Sequence, residues 1–502
     1  MSRSLLLRRV RVVPLADPIT VPTPVDVLMV DGRIAQIGSD LPVPADGDRL
    51  DAAGRWAIPG LWDAHVHAAQ WVRTARMLPL AAATCAEDVL AAVAEHLAEQ
   101  SDDRVLLGFG YRSAGWPRPG SVAELDAVSA GRAVVLVSGD AHNGWLNSAA
   151  LDLLGAAPRV GPVTENEWFE LLRRVERLPG ARPSPAEFRA PLAQLAARGL
   201  TGMVDFEFGN SFDDWPERIG AGADSLRVRC AVYPHQLNEV IGRGLRTGDR
   251  LPGAAGLASM GPLKIISDGS LGTRTAWTHQ PYSDGPATAE HPCGQANYSA
   301  GELAALLSDA RVAGLEVAVH AIGDRANAAA LDAFATTGVH GSIEHAQLIA
   351  PEDVDRLAAL SVVASVQPAH LLDDRDLTER LWGDRSANAF PLRTMIDAGV
   401  DVRFGSDAPV AALDPWLAIA SAVHRSGDDR PGWHPEQSLT IREALAASVD
   451  GKRLAPGGPA DLVLLDHDPL AHHGDPDATR DALRATTAAL TICAGRVTHR
   501  AM

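Results

Sequence analysis

Short apolar runs alternate with longer amphipathic stretches through most of the chain, which predicts repeated βα units and a parallel sheet. Eight parallel strands are the number that closes a (β/α)8 barrel. We therefore predict a TIM-like barrel over residues 58–450, of class α/β. Its candidate strands are LWDAHVH (61–67), TGMVDFE (201–207), RVRCAVY (227–233), PLKIIS (262–267), LEVAVH (315–320), SIEH (342–345), VVASVQ (362–367) and VRFGSD (402–407).

A long stretch at about 68–200 separates the first two candidate strands and contains two more apolar runs, RVLLGFG and AVVLVSG. We predict that this stretch is an insertion that folds over the mouth of the barrel. The alternative is that these two runs are themselves barrel strands, which would change the strand numbering.

Both ends of the chain are predicted to form short β-strands. Residues 1–57 contain VDVLMVDGRIAQIG, with a turn at Asp31-Gly32, and residues 451–502 contain ADLVLLDHD and ALTICAGRVTHR. Because the termini of a domain often lie close together, we predict that the two ends combine into one small β-sandwich. The predicted organisation is therefore 1–57 and 451–502 as the two parts of the sandwich, with 58–450 as the barrel.

Composition narrows the classes of partner. The formal net charge of −18 over 502 residues offers no basic surface to nucleic acid or to anionic membranes, so we expect a small-molecule substrate. The four cysteines form no CxxC pair, which argues against a disulfide framework or a thiolate zinc site. No apolar segment has the length of a signal peptide core or a membrane span, so we expect a cytoplasmic protein. Its oligomeric state is left open, a homo-oligomer included.

Histidines stand at the ends of three candidate strands. His65 and His67 are two residues apart, so they share a face of the first strand, and at the carboxyl end of a barrel strand that face borders the site. A lone histidine after a strand is more often structural. The HxH pair combined with His320 and His345, which end two other strands, favours a shared metal site.

Two other residues extend this set. Asp407 ends the last candidate strand, where a carboxylate can bind metal and accept a proton from water; taken alone it would be a turn or capping residue. Lys264 lies in an apolar strand, as either a buried amine with a partner or a lysine kept for chemistry. A neutral lysine can react with carbon dioxide to give a carbamate, which can bridge two metal ions.

The histidines, lysine and aspartate on candidate strands one, four, five, six and eight resemble the ligand set of the amidohydrolase superfamily. Longer stretches resemble the branch that contains N-substituted formamide deformylases, and the resemblance extends over nearly the whole chain. These stretches are IPGLWDAHVH, DAHNGWLNSAAL (140–151), LKIISDGSLGTRTA, VAVHAIGDRA, SIEHAQLI, QPAHLLDD (367–374), FGSDAPVAALDPW and ADLVLLDHDP.

The resemblance implies specific roles. Lys264 would bridge a binuclear metal centre as a carbamate, and Asp407 would be the catalytic proton shuttle. The ion would be divalent, with zinc preferred and one or two ions both open. The implied metal ligands are His65, His67, Lys264, His320, His345 and Asp407, and the implied substrate contacts are His142, Trp145, Arg274 and His370. Of the last group, Trp145 could instead be a core residue, and Arg274 could instead pair with a carboxylate.

Residues and resemblance together predict a metal-dependent amidohydrolase that hydrolyses a non-peptide C–N bond of a small molecule with metal-activated water. An N-formyl or N-acyl amine or a cyclic amide would be the substrate. One alternative keeps the barrel and metal but hydrolyses an ester or lactone or catalyses a lyase step. The other is a non-catalytic scaffold, which the complete ligand set argues against.

Overall fold

The computed structural model describes residues 4–15, 23–43, 47–99, 104–175, 177–178, 182–285, 290–471 and 474–502. Three sheets are present in this part of the chain. The strands, in chain order, are β1 (Ser4–Val12), β2 (Val25–Val30), β3 (Arg33–Gly38), β4 (Asp48–Asp51), β5 (Trp56–Pro59), β6 (Leu61–Val66), β7 (Leu78–Pro79), β8 (Leu106–Tyr111), β9 (Val134–Ser138), β10 (Asn143–Leu146), β11 (Val163–Thr164), β12 (Leu200–Asp205), β13 (Arg227–Val232), β14 (Ala258–Ile266), β15 (Val317–Ala321), β16 (Gly341–His345), β17 (Val363–Val366), β18 (Val402–Phe404), β19 (Leu462–Leu465), β20 (Leu490–Cys493) and β21 (Arg496–Arg500).

The helices lie mostly between the strands, and short 3₁₀ turns supplement them at Ser113–Gly115, Pro185–Phe188, Pro234–Gln236, Gly383–Asn388 and Pro435–Gln437. The α-helices are α1 (Ala68–Thr74), α2 (Ala86–Glu99), α3 (Val122–Ser129), α4 (Ser148–Leu153), α5 (Glu165–Val175), α6 (Arg189–Ala197), α7 (Ser211–Gly220), α8 (Leu237–Gly242), α9 (Ala300–Ala313), α10 (Asp324–Thr337), α11 (Pro351–Ala359), α12 (His370–Trp382), α13 (Leu392–Asp397), α14 (Pro415–His424), α15 (Ile441–Ala447) and α16 (Pro476–Ala485).

The barrel is an eight-stranded parallel sheet in the order β18-β17-β16-β15-β14-β13-β12-β6, and the eight runs predicted from the sequence are its eight strands. Its two edges meet beside the carboxyl ends of β6 and β18, where the backbone nitrogen of Asp407 donates to the oxygen of His65 at 2.7 Å. The nitrogen of His67 likewise donates to the oxygen of Ala408 at 2.8 Å. The predicted TIM-like barrel is confirmed.

Local signals in the sequence explain the helices around the barrel. Helix α9 begins at a capping box of Ser299 and Glu302 and ends at Gly314, which adopts the left-handed conformation that favours glycine. Helix α11 buries Val354 and Leu357, three residues apart on one face. Such helices cover the outside of the strands, so the apolar core is continuous between the two layers.

The stretch between β6 and β12 contains a separate five-stranded sheet in the order β11-β10-β9-β8-β7. The runs RVLLGFG and AVVLVSG supply β8 and β9 of this sheet, so the alternative that places them in the barrel is wrong. Buried side chains lie on both of its faces, with Trp168 in one cluster and Trp145 in the other. This inserted domain therefore has apolar cores of its own.

The third sheet joins the two ends of the chain, in the order β21-β20-β19-β5-β1-β2-β3 with β4 paired to β1. Strand β19 runs antiparallel to β5, with Leu462 opposite Pro59 and Leu464 opposite Ala57. The predicted combination of both termini in one β domain is confirmed, whereas the boundaries at 57/58 and 450/451 stay predictions. The four cysteines are all free thiols. In the described parts of the chain, no helix combines the length and the apolar character needed to cross a bilayer.

Candidate metal centre and active site

The six predicted metal ligands border one small cavity at the carboxyl end of the barrel. Four of them belong to barrel strands: His65 to β6, Lys264 to β14, His320 to β15 and His345 to β16. His67 directly follows β6, and Asp407 follows β18 by three residues. Because the strands of a barrel end at a common rim, residues separated by up to 342 positions in the chain are brought together there.

Within this set, His65, His345 and Asp407 form the tightest group, with one potential ligand atom from each lying within 4.8 Å of the others. Oδ1 of Asp407 lies 3.3 Å from Nε2 of His65 and 3.3 Å from Nε2 of His67. Nζ of Lys264 lies 3.3 Å from Nε2 of His65. Nitrogen and oxygen donors therefore surround a common point, the arrangement that a divalent cation requires.

Two members of the group depend on an uncommon backbone conformation. His345 has a φ of 75° and Asp407 a φ of 56°, both in the left-handed region that side chains other than glycine rarely adopt. In an extended strand, His345 would point away from the face used by Ser342 and Glu344. The left-handed turn at the strand end lets His345 face the cavity as well.

Glu344 belongs to the site but is not among the residues predicted from the sequence. Its Oε2 accepts a hydrogen bond of 2.7 Å from Nδ1 of His65, and each side chain is only 1% exposed. The hydroxyl of Ser342 donates to the other oxygen of Glu344. A histidine held this way through Nδ1 keeps the lone pair of Nε2 for a metal. The available signal was a carboxylate within a barrel strand, on the same face as Ser342.

Burial and neighbouring charges set the protonation of the site. Burial, reinforced by the charge of Lys264, lowers the pKa of His65 to about 4, and burial holds the pKa values of His320 and His345 well below their usual range. Burial also lowers the pKa of Lys264 to about 8. For Asp407, burial alone would raise the pKa, but the neighbouring imidazoles outweigh it and hold the pKa well below normal. Neutral imidazoles beside a carboxylate are the forms that bind metal.

Two buried imidazole nitrogens without hydrogen-bond partners indicate whether the site fits a metal ion. Nδ1 of His67 and Nδ1 of His345 are buried and have no hydrogen-bond partner among the described residues. Buried polar atoms without partners are rare in proteins and unfavourable. A cation bound among these imidazoles would compensate for their lost hydration, so the residues present fit a divalent metal ion.

The inserted domain contributes His142 to the wall of the same cavity. Its ring centroid lies 5.9 Å from that of His320, and its Nδ1 lies 3.0 Å from Oε2 of Glu165. Burial opposes protonation of His142, but the charge and hydrogen bond of Glu165 outweigh it and raise the pKa of the imidazole to about 9. His142 is therefore a cation at neutral pH and stands opposite neutral imidazoles.

The other predicted substrate contacts divide into two groups. His370 is buried at the start of α12, with Nε2 3.3 Å from the oxygen of Ser406, and it lines a larger cavity beside the metal centre. The structure does not bring Trp145 or Arg274 to either cavity. Trp145 is fully buried in the inserted domain, where its indole donates to the oxygen of Ser121, because its strand faces that domain's own core. Arg274 is 40% exposed and forms a 2.7 Å ion pair with Asp284.

A parallel barrel with clustered imidazole and carboxylate donors at its carboxyl end has the architecture of a metal-dependent hydrolase. The sequence matches the model of the amidohydrolase family over residues 48–499, and the chain belongs to that family.

Known relatives agree with this assignment. The chain is 29% identical to the putative amidohydrolase YtcJ of Bacillus subtilis, over 84% of this chain and 86% of the relative. It is 23% identical to the N-substituted formamide deformylase of Arthrobacter pascens, over 88% and 90% of the two chains. An uncharacterized metal-dependent hydrolase from Pyrococcus horikoshii superposes with a TM-score of 0.75 at 25% identity, covering 94% of this chain and 100% of that one. The resemblance predicted from the sequence is confirmed.

Proposed function

We propose that this chain hydrolyses a non-peptide C–N bond of a small molecule, an N-formyl or N-acyl amine or a cyclic amide, with the help of divalent metal. The observation that carries this proposal is the convergence of His65, His345 and Asp407 within 4.8 Å, with Lys264 and His67 beside them. The name of the Arthrobacter relative, a formamide deformylase, supports the choice of bond. We further propose that the enzyme acts in the cytoplasm and has neither nucleic acid nor membrane as a partner.

We propose zinc as the metal; His65, His67, His320, His345 and Asp407 would hold one or two ions, and Lys264 would be a further ligand as its carbamate. Imidazole and carboxylate donors suit zinc, and the lowered pKa of Lys264 favours the neutral amine that reacts with carbon dioxide. When bound, such an ion lowers the pKa of water from about 15.7 to about 7 and polarises a carbonyl group.

Asp407 is the proton carrier in this proposal. Its low pKa keeps it ionised, so it can accept a proton from water as the water oxygen bonds to the carbonyl carbon. It then returns that proton to the nitrogen as the C–N bond breaks, so that an amide and one water give a carboxylic acid and an amine. The fixed positions of its backbone beside His65 and His67 hold the carboxylate at the reacting end of the cavity.

His142 and His370 are the proposed substrate contacts, and both lie outside the barrel strands. His142 presents a cationic imidazole whose Nδ1 is occupied by Glu165, which leaves Nε2 as a donor for a substrate oxygen. His370 lies at the wall of the adjoining cavity, and both residues border the space that leads to Asp407. We propose that they orient the substrate so that its carbonyl faces the metal ligands.

The test starts with elemental analysis of the purified protein, followed by chelation, metal restoration and a screen of amides against matched esters and lactones. We expect chelation to abolish hydrolysis, zinc to restore it, and Asp407→Asn to lower kcat by about 10²- to 10⁴-fold, the usual contribution of a general acid or base. Asp384→Asn, which removes an exposed carboxylate outside both cavities, is the matched control.

A metal-free enzyme with full activity, or Asp407→Asn with wild-type rates, would refute the mechanism. If only esters or lactones are turned over, the proposed hydrolysis of a C–N bond is wrong, and the alternative chemistry on the same barrel is supported. His65→Ala should lose activity together with bound metal, whereas Asp384→Asn should change neither.

A further inference from the structure

A cavity of about 390 Å³ adjoins the metal centre and shares His142, His345 and Asp407 with it. Its outer wall combines the ends of β8 and β9 in the inserted domain with the loop after β14 and the first turns of α12. Its volume falls in the range of about 300 to 1,000 Å³ that is typical of small-molecule sites. A substrate whose carbonyl lies at Asp407 therefore has to place the rest of its structure in this cavity.

Two carboxylates in the wall of this cavity have only neutral hydrogen-bond donors. Asp374 accepts from Nε2 of Gln347 at 3.0 Å. Asp140 accepts from the hydroxyl of Ser138 at 2.5 Å and from the backbone nitrogen of His142 at 3.1 Å. In the part of the chain that the structure describes, both carboxylates are half-buried and neither forms an ion pair with lysine, arginine or histidine.

The remaining charges in the wall are largely compensated by one another or lie toward the solvent. Arg112 forms a 2.9 Å ion pair with Asp373, and Asp376 pairs with Arg430 at 2.7 Å. Arg380 is exposed at the rim, where it donates to a backbone carbonyl of the inserted domain. The cationic imidazole of His142 also borders the cavity and offsets part of the charge of Asp140. Asp374 is therefore the principal negative group in the wall that a bound molecule could neutralise.

We propose that this cavity binds a cationic group of the substrate, so that the natural substrate is an N-formyl or N-acyl amine that carries a second, protonated amine, with Asp374 as its principal counter-ion. This inference rests on the proposed function and adds the class of substrate to it. An ammonium group has three N–H donors, so it can donate to Asp374 and to other acceptors in the wall at the same time. An apolar group in the same place would leave Asp374 without a cation.

The ionisation of Asp374 agrees with this assignment. Burial raises its pKa to about 6, and the electrostatic interactions with His370 and Arg112 and the hydrogen bond from Gln347 compensate only in part. A carboxylate in this state is still ionised near pH 7, and the protein compensates its charge only in part. A bound cation would supply the remaining charge, and a carboxylate with a perturbed pKa in a cleft is a typical feature of a functional site.

The test compares pairs of substrates that differ only in charge. One member is a mono-N-formyl-α,ω-diaminoalkane with three, four or five methylenes, and the other has a methyl group in place of the terminal ammonium. We expect the metal-loaded wild type to prefer the cationic member of the best pair by at least about tenfold in kcat/KM, since a polar site discriminates strongly against a ligand that leaves it unpaired. Asp374→Asn should abolish this preference mainly through KM, while Asp384→Asn should keep it.

Failure of the substrate class can be distinguished from failure of the proposed function. Equal or better turnover of the neutral members by wild type would overturn the cation site and leave the hydrolase intact. If no amide is turned over at all, calorimetric titration of the same pairs still decides the inference: tighter binding of the cationic member that is lost in Asp374→Asn supports it, and equal binding overturns it. Because the wild type alone gives the comparison, a variant that misfolds does not prevent a decision.

Discussion

Replacing Glu344 by glutamine tests how the protein orients its first metal ligand. The carboxylate accepts a 2.7 Å hydrogen bond from Nδ1 of His65, and both side chains are 1% exposed. A hydrogen bond to a charged group contributes about 1.5 to 3 kcal/mol when it is shielded from water. The glutamine keeps the shape but offers only a neutral oxygen, or an amide N–H that would require the proton of His65 to move to Nε2.

We therefore expect Glu344→Gln to weaken metal binding by about 10- to 100-fold, which corresponds to about 1.4 to 2.7 kcal/mol. This range agrees with the strength of the hydrogen bond that is lost. The assay is competition for zinc between the protein and a fluorescent chelator, combined with elemental analysis after dialysis. Circular dichroism shows whether the fold is retained.

The matched control is Glu352→Gln, which makes the same change at an exposed position in α11. It should bind zinc as tightly as wild type. If Glu344→Gln also binds zinc with wild-type affinity, Glu344 does not orient His65 and the assignment of Nε2 as the ligand atom loses its support. Loss of fold in Glu344→Gln but not in the control would indicate a structural role instead.

Two more predictions concern other parts of the barrel. The side chain of Asp450 is 5% exposed and pairs with Arg229, Arg403 and Lys452. Burial would raise the pKa of Asp450, but these cations lower it from 3.8 to about 2. This shift corresponds to about 2 kcal/mol of stability, present above pH 3.8 and lost as the pH falls toward 2. In urea denaturation, Asp450→Asn should thus be less stable than wild type at pH 7 by about this amount, with a smaller difference at pH 3; equal stability at pH 7 would contradict this. At Lys264, ¹³C-bicarbonate should give a carbamate resonance in the NMR spectrum of zinc-loaded wild type, and this resonance should be absent in Lys264→Met. If wild type shows no such resonance and Lys264→Met still binds its full complement of metal, Lys264 is not a carbamate ligand.

Much of the fold could be predicted because its determinants are local. Each barrel strand is a short apolar run followed by a helical stretch, and this alternation is visible without knowledge of any partner. The candidate ligands were found for the same reason, since His65, His320 and His345 each stand at the end of such a run. The joint occurrence of these strand ends pointed to a shared rim, and the structure places them around one cavity.

Other features could not be predicted, because they depend on which distant segments meet. Trp145 and Arg274 occur beside motifs that contribute to the site. The side chain of Trp145 nevertheless faces the core of the inserted domain, and that of Arg274 forms an ion pair at the surface. The close approach of Gly120, where an added Cβ would lie 2.3 Å from the ring of Trp145, shows how completely the neighbouring backbone encloses that indole. No local pattern reveals the direction of a side chain in a strand whose two faces are both buried.

The sequence by itself determined the barrel, the union of the two termini in one sheet and the residues that stand at the strand ends, because hydrophobic periodicity and chain order suffice for these. Only the tertiary structure decided that Glu344 holds His65 from 279 positions away and that Asp140 and Asp374 face one cavity. Those contacts depend on the closure of the barrel and on how the inserted domain packs over its rim. Both are set by packing between segments that share no local signal.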